Sequence, residues 1–330
     1  GSGHTNIQRS LRDDCDAAAA TADAANYNMR FFNVTANGGN VSSTAWHVSD
    51  VNSAPAMSAG HFDFGRQVAL NMPDVRICLI ASAVGATAIE RWATCAGSGK
   101  LYTGQIVPLQ PSAIKGVTWY QGEWDARGAQ DSSKYYWQLP CLIDEWRNDW
   151  GQGVFPFYVV QMPKMGISSI HIVRDAELQT TLEDEKVEMI VTIDQPGNDV
   201  HPPCKAPFGI RLAMLARKLE YGQPLVARSP IYNAVSSYYV DNDTIGVVFD
   251  NVAGGLESSA ARPLAEWEIA DASGSSVPAN AVIVGTDTVE VSSPSIRNPV
   301  SVRYAFSTNP AANNLVNTAG RPASPIREVA

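Results

Sequence analysis

Three residues of this chain could together cleave an ester: the hydroxyl of Thr5, the imidazole of His201 and the carboxylate of Asp199. Such a reaction needs a nucleophile, a base to take its proton, and donors for the charge that develops on the carbonyl oxygen. Thr5 lies in Gly1-Ser2-Gly3-His4-Thr5-Asn6-Ile7-Gln8, where Gly3 allows close backbone approach in a turn between strand and helix. Its own N–H is then one oxyanion donor. Judged alone, a threonine after this turn is a helix cap. His201 lies in Gly197-Asn198-Asp199-Val200-His201-Pro202-Pro203, a loop between a strand and a helix. It is the base candidate, and Asp199 is the carboxylate chosen to orient its ring and stabilise its charged form. Asp194 is the alternative acid, and the position three residues before the histidine is the uncharged Asn198.

Two further blocks carry polar groups suited to the same site. Ser82-Ala83-Val84-Gly85-Ala86-Thr87-Ala88-Ile89-Glu90 places Gly85 at a tight turn after a strand. Trp119-Tyr120-Gln121-Gly122-Glu123-Trp124-Asp125 offers the Gln121 amide to an oxyanion or to substrate. Glu123 could hold the nucleophile loop or the histidine, and its default role is at the surface. Trp119 and Trp124 could stack on a sugar ring, although burial is the commoner fate of tryptophan. Glu90 and Arg91 read as a structural ion pair.

Together the four blocks resemble the sialate O-acetylesterase branch of the SGNH hydrolases, which is close to the acetylxylan esterases. In that family the first block reads Gly-Gln-Ser-Asn and its serine is the nucleophile. Here that position is Thr5, whose extra methyl restricts χ1 and crowds the tetrahedral intermediate. The family's Gly-Gly-Thr-Pro-Ile-Glu becomes Gly85-Ala86-Thr87-Ala88-Ile89-Glu90, and Ser-Asn-Ala becomes Trp124-Asp125-Ala126. A carboxylate at Asp125 would repel an oxyanion if it pointed inward. The resemblance implies catalysis by Thr5, His201 and Asp199, with oxyanion donors from Thr5, Gly85 and Gln121 and substrate contacts from Glu123, Trp124 and Trp119. It implies no cofactor. The substrate would be an O-acetylated carbohydrate, with sialic acid first and acetylated plant polysaccharide second. The alternative is a carbohydrate-binding protein that keeps the pocket and has lost turnover. A secreted, periplasmic or lysosomal-type compartment also follows from the family.

The elements that must position these residues alternate over the first two thirds. Short apolar runs at 75–81, 116–120, 154–160 and 187–193 suit buried parallel strands. Helical spacing separates them at 62–70, 135–149, 174–182 and 208–219. Strands separated by helices predict an α/β fold, a doubly wound parallel sheet in three α/β/α layers like that of the SGNH hydrolases. The expected domain spans 1–222, its first strand missing upstream of Gly1. From 223 to 330 short β-rich pieces predict a small antiparallel module, and Arg303-Tyr304-Ala305 and Pro322-Ala323-Ser324-Pro325 extend the resemblance to it.

Composition agrees with one large globular domain or a domain plus a smaller module. Of 330 residues 45% are hydrophobic and only 17% charged, which argues against long disordered or coiled-coil stretches. A net charge of −9 argues against nucleic acid and anionic membranes as partners. No apolar run approaches the roughly 20 residues that cross a bilayer. The cysteines at 15, 78, 95, 141 and 204 form no CxxC or Cys/His cluster, so no metal is expected. One or two disulfides are compatible with them, without an assignable pairing, and Cys78 reads as a small buried hydrophobe.

Overall fold

The computed structural model describes residues 1–34, 36–37, 40–41, 45–195, 199–259 and 262–329. The chain divides into two units. The first comprises Gly1–Met162, Ile167–Ile190 and Asp199–Leu225; the second comprises Pro163–Gly166, Val191–Asn198 and Val226–Ala330.

The apolar runs of the first unit become strands of one sheet: β1 (Ser2–Gly3), β2 (Met29–Val34), β3 (His47–Val48), β4 (Ile77–Ala83), β5 (Val117–Tyr120), β6 (Phe157–Val160) and β7 (Val187–Ile190). Their order is β3-β2-β4-β1-β5-β6-β7, parallel throughout except for the antiparallel edge strand β3. Strands β5, β6 and β7 are buried along their whole length, which requires cover on both faces. The cover comes from α2 (Ala59–Asn71) packed with α5 (Ala206–Leu219), and α3 (Ala129–Trp150) packed with α4 (Ile170–Glu183); the one-turn α1 (Thr5–Gln8) follows β1 directly. The strand β2 was not expected from the sequence, because Arg30 and Asn33 interrupt its apolar residues and break both the continuous run and the strict alternation.

Beside α3 the core is aromatic. Trp119 meets Trp92 and Trp146 edge to face, at ring-centroid distances of 6.0 and 5.9 Å. Each indole N–H finds an acceptor: Trp92 on Thr87 Oγ1, Trp119 on the Tyr135 hydroxyl, and Trp146 on the Trp92 carbonyl. This packing fixes the segment after β4 that carries Gly85 and Thr87.

Cys78 differs from expectation. It lies on β4 but is exposed, and it lines a cavity of about 480 Å³ together with Phe64, Val68, Ile80, Trp146 and Tyr158. The other cysteines pair as Cys15–Cys204 and Cys95–Cys141.

The helix α2 carries a fully buried carboxyl at Asp63, 2.7 Å from Arg66. Burial, opposed by Arg66 and reinforced by Asp16 and Asp14, pushes Asp63 up to about 7. The folded protein therefore binds a proton here that the unfolded chain has released above about pH 4. Stability from this group is present below that pH and is lost as pH rises toward 7. Asp63→Asn should remove this slope and raise stability at pH 8 by about 3 kcal/mol, measured by urea unfolding at pH 5 and pH 8. Parallel losses in both proteins between those pH values would contradict the assignment.

The second unit is antiparallel. Its strands are β8 (Ile231–Tyr239), β9 (Thr244–Asp250), β10 (Leu256–Ser258), β11 (Trp267–Ala270), β12 (Ser276–Pro278), β13 (Asn280–Val284), β14 (Thr288–Ser292), β15 (Ser301–Tyr304), β16 (Leu315–Asn317) and β17 (Ile326–Val329). They form the sheets β8-β9-β14-β13 and β12-β11-β15-β17 and the pair β10-β16. The Trp267 and Tyr304 rings meet tilted, with centroids 4.8 Å apart, and the Tyr304 hydroxyl accepts the Leu315 N–H at 3.1 Å.

Candidate active site

The site begins where β1 ends. Gly3 has φ +139°, and a Cβ there would stand 2.1 Å from the Tyr120 carbonyl oxygen, so only glycine fits against β5. The chain then turns: the His4 N–H donates to Tyr120 O at 2.8 Å, and the His4 carbonyl accepts from Ile7 and Gln8 at 3.1 Å each. Thr5 thus opens α1, half-buried, and its N–H has no acceptor among the described residues.

The Thr5 hydroxyl lies 3.2 Å from His4 Nδ1. That nitrogen is also 3.5 Å from Glu123 Oε2, and both side chains are buried. Glu123 Oε1 accepts from Asn6 Nδ2 at 2.7 Å. Burial pushes the Glu123 carboxyl up, but His4, its own backbone and Asn6 outweigh it and hold the group below the usual glutamate range. Glu123 is thus an ionised carboxylate under the nucleophile turn rather than a surface group.

Asn6 is the hub of a second connection. Its Nδ2 also donates to the Val200 carbonyl at 2.9 Å, and its Oδ1 accepts from Lys205 Nζ at 2.7 Å. Lys205 Nζ donates further to the Pro202 carbonyl, and the Lys205 N–H donates to Asp14 Oδ2 at 2.8 Å. The Cys15–Cys204 disulfide closes the same junction. Burial, with the Arg9 charge, lowers the Lys205 ammonium to about 8. These contacts fasten the His201 loop to the turn that carries Thr5, across almost 200 residues of sequence.

His201 is half-buried on that loop. Burial, then the charges of Arg9 and Lys205, hold its imidazole below the usual histidine value, so it is neutral at pH 7. Asp199 Oδ1 accepts the backbone N–H of His201 at 2.8 Å, and among the described residues the His201 ring makes no hydrogen bond to Asp199 or to Thr5. Asp194 is exposed in the second unit, and Asn198 lies outside the described residues.

Gly85 stands against the nucleophile: a Cβ there would lie 2.6 Å from Thr5 Oγ1. Its N–H donates to Gln8 Oε1 at 2.8 Å, a side chain that is exposed. Ala86 follows in the left-handed region at φ 57°, where the family pattern has glycine. The Gln121 amide is fully buried and donates to the Thr87 carbonyl at 3.0 Å and Asp125 Oδ2 at 2.5 Å. Asp125 also accepts the Ile89 N–H at 3.2 Å, and burial raises its carboxyl to about 6. The pair Gln121 and Asp125 therefore braces the turn after Gly85. Trp119 is wholly within the aromatic core, whereas Trp124 is 39% exposed with the Arg127 guanidinium 4.1 Å over its ring.

Thr5, Gly85, Glu123 and the His201 loop are thus brought together. His4, Asn6, Gln8 and Lys205 join them and were not singled out by sequence, although His4, Asn6 and Gln8 lie in the first block and Lys205 lies four residues after His201.

Known proteins share sequence and fold with this chain. Two relatives, the sialate O-acetylesterases of Homo sapiens and Pongo abelii, are each 28% identical over 213 residues, which cover 51% of this chain and 40% of theirs. The chain therefore spans less than half the length of these curated relatives. A carbohydrate acetylesterase from Xanthomonas citri superposes with a TM-score of 0.89 at 29% identity, over 98% of this chain and 78% of that one. An Arabidopsis thaliana protein at 22% identity and TM-score 0.52, over 66% of this chain and 96% of its own, shares the fold. The family model "Carbohydrate esterase, sialic acid-specific acetylesterase" matches residues 13–217, beginning just after the Thr5 turn. On that match the chain belongs to the sialic acid-specific acetylesterase family of carbohydrate esterases.

Proposed function

We propose that this protein is a carbohydrate O-acetylesterase that removes acetyl groups from O-acetylated sialic acid. The observation that carries the reading is the Thr5 hydroxyl, hydrogen-bonded to an imidazole at 3.2 Å and set against Gly85 beside a buried, ionised Glu123. The hydroxyl attacks the acetyl carbonyl, and the oxyanion is received by the Thr5 N–H and by the Gly85 N–H once Gln8 yields it. Collapse leaves acetyl-Thr5 and frees the sugar. Water, activated by His201 as general base, then releases acetate. The exposed Trp124, with the Arg127 guanidinium over its ring, offers an aromatic and a cationic surface to a sugar acid. The two disulfides support an oxidising compartment such as the cell exterior or a lysosome. No helix among the described residues is long and apolar enough to cross a membrane.

The second reading, a sugar-binding protein without turnover, is favoured by one contact: Gln8 occupies the Gly85 N–H in the resting structure. Acetate release from O-acetylated sialic acids and acetylated xylan oligomers separates the two. The parent chain should release acetate, and His201→Ala should slow it by about a hundred- to ten-thousandfold. Equal background rates in both would leave the binding reading. Release from xylan oligomers alone would replace sialic acid as the substrate.

A further inference from the structure

Arg9 is a cation at the nucleophile turn without an anion. It caps the C-terminal end of α1, where its N–H donates to the Thr5 carbonyl at 2.9 Å. Its own carbonyl accepts from Ala59 at 3.0 Å, so the backbone is held on both sides. Thr5 and Arg9 are therefore one helical turn apart, the spacing at which side chains are neighbours on one face. A cation at a helix C-terminus ordinarily serves the dipole, but α1 has only four residues and offers little of one. After burial, the Arg9 charge is the next cause that lowers both the His201 imidazole and the Lys205 ammonium. The guanidinium thus faces the loop that carries His201.

Among the described residues that guanidinium makes no hydrogen bond and no ion pair. Arg9 is half-buried, yet its nitrogens open to solvent, unlike Arg66 Nε and Arg147 Nη2, which are enclosed without a partner. The other charges around it are engaged. Lys205 Nζ donates to Asn6 and the Pro202 carbonyl, and the Arg127 guanidinium lies over Trp124. Glu123 is held by Asn6 and His4, and Asp199 accepts the His201 N–H. An arginine so far withdrawn from water is ordinarily matched by a carboxylate, and here the chain supplies none.

We propose that Arg9 receives the carboxylate of the substrate and so selects acetylated sugar acids over neutral acetylated sugars. This rests on the reading of the site as one that takes O-acetylated carbohydrate at Thr5. With the ester carbonyl between Thr5 and Gly85, the carboxylate of the same sugar needs a receptor within one side chain's reach. Arg9, one turn beyond Thr5, is so placed. Two of its N–H groups donate to the two carboxylate oxygens, a planar match that an ammonium does not reproduce. The contact also offsets the repulsion that a net charge of −9 exerts on an anionic substrate. A neutral acetylated xylan oligomer leaves the guanidinium in water.

An O-acetylated sialic acid and its carboxamide test this, because the carboxamide keeps the ring and the ester and loses the charge. For acetate release, kcat/KM in the parent should be about tenfold or more higher on the acid. In Arg9→Gln that ratio should fall to about one, and Arg9→Lys should lie between. Each ratio is taken within one variant, so changes in folding or in His201 basicity cancel. Calorimetric titration of the same proteins with the deacetylated acid and its carboxamide reads the contact without turnover, and the affinity ratio should move in the same way. A parent that binds neither ligand, or does not distinguish them, would overturn the proposal. So would Arg9→Gln with the parent's ratios, or a ratio lost in Arg127→Gln instead. A parent that prefers the acid through Arg9 but releases no acetate would sink the esterase reading and leave the carboxylate receptor standing.

Discussion

Thr5→Ser is expected to release acetate about ten- to a hundredfold faster than the parent, and Thr5→Val to fall to background. The argument is steric and local. A Cβ at Gly85 would lie only 2.6 Å from Thr5 Oγ1 and 3.4 Å from Thr5 Cβ, so the nucleophile already has a wall on one side. His4 Nδ1 at 3.2 Å limits it on another. A β-branched side chain has few χ1 choices, and rotation that brings Oγ1 onto an incoming carbonyl swings the methyl into the same crowded space. Serine keeps the oxygen and removes that conflict, so the gain should appear in kcat rather than KM. Valine keeps the branching and removes the nucleophile, which separates loss of chemistry from loss of packing. An unchanged rate in the serine variant would show that the methyl is not what limits turnover. A valine variant that still releases acetate would remove Thr5 from the reaction altogether.

How much of this site the sequence disclosed depends on the range of each interaction. The strands β4 to β7 and helices α2 to α5 follow from apolar periodicity within windows of fewer than 20 residues, and the parallel sheet follows from their alternation. Thr5, Gly85 and His201 stood out only because their short blocks resemble those of the sialate O-acetylesterase family; judged alone, each block reads as a turn. Their partnerships did not stand out. Asn6 binds Glu123 across 117 residues and Lys205 across 199, and no local pattern encodes which polar groups meet after folding. Glu123 was expected to hold the nucleophile loop or the histidine or to touch substrate, but which of these it does depends on His4 and Asn6, which are distant in sequence. The same limit explains Gln121 and Trp119. The residue types fit substrate contact, but Trp119 is absorbed by its neighbours Trp92 and Trp146, and the Gln121 amide by Thr87 and Asp125. Sequence gave those groups a chemistry; only packing decides whether any of it faces the pocket.

That dependence on distant fastening makes the Cys15–Cys204 disulfide the most consequential link outside the reacting groups. Cys15→Ala/Cys204→Ala is expected to lose about 5 kcal/mol of stability, because the bridge closes a loop of 189 residues and restrains the unfolded chain accordingly. This is comparable to the whole stability of a marginal domain. Cys95→Ala/Cys141→Ala, which opens a loop of 46 residues, should lose about 4 kcal/mol. The two variants should nevertheless differ in activity at temperatures where both remain folded. Cys204 is three residues from His201, and next to it Lys205 holds Asn6, the Pro202 carbonyl and, through its N–H, Asp14. Without the bridge the backbone bond from Cys15 N–H to Pro203 O at 3.2 Å and the Asp14 contact must alone hold the loop to the α1 side of the sheet. Displacement of His201 by about 1 Å is enough to cost on the order of a hundredfold in rate. Cys95 and Cys141 make none of these contacts, so their removal should leave kcat near the parent's. Urea unfolding and acetate release on the same preparations read both quantities. Equal catalytic losses in the two variants would mean that activity tracks global stability; a selective loss on removing Cys15–Cys204 would mean that the fastening of the His201 loop, rather than the sheet beneath it, sets the rate.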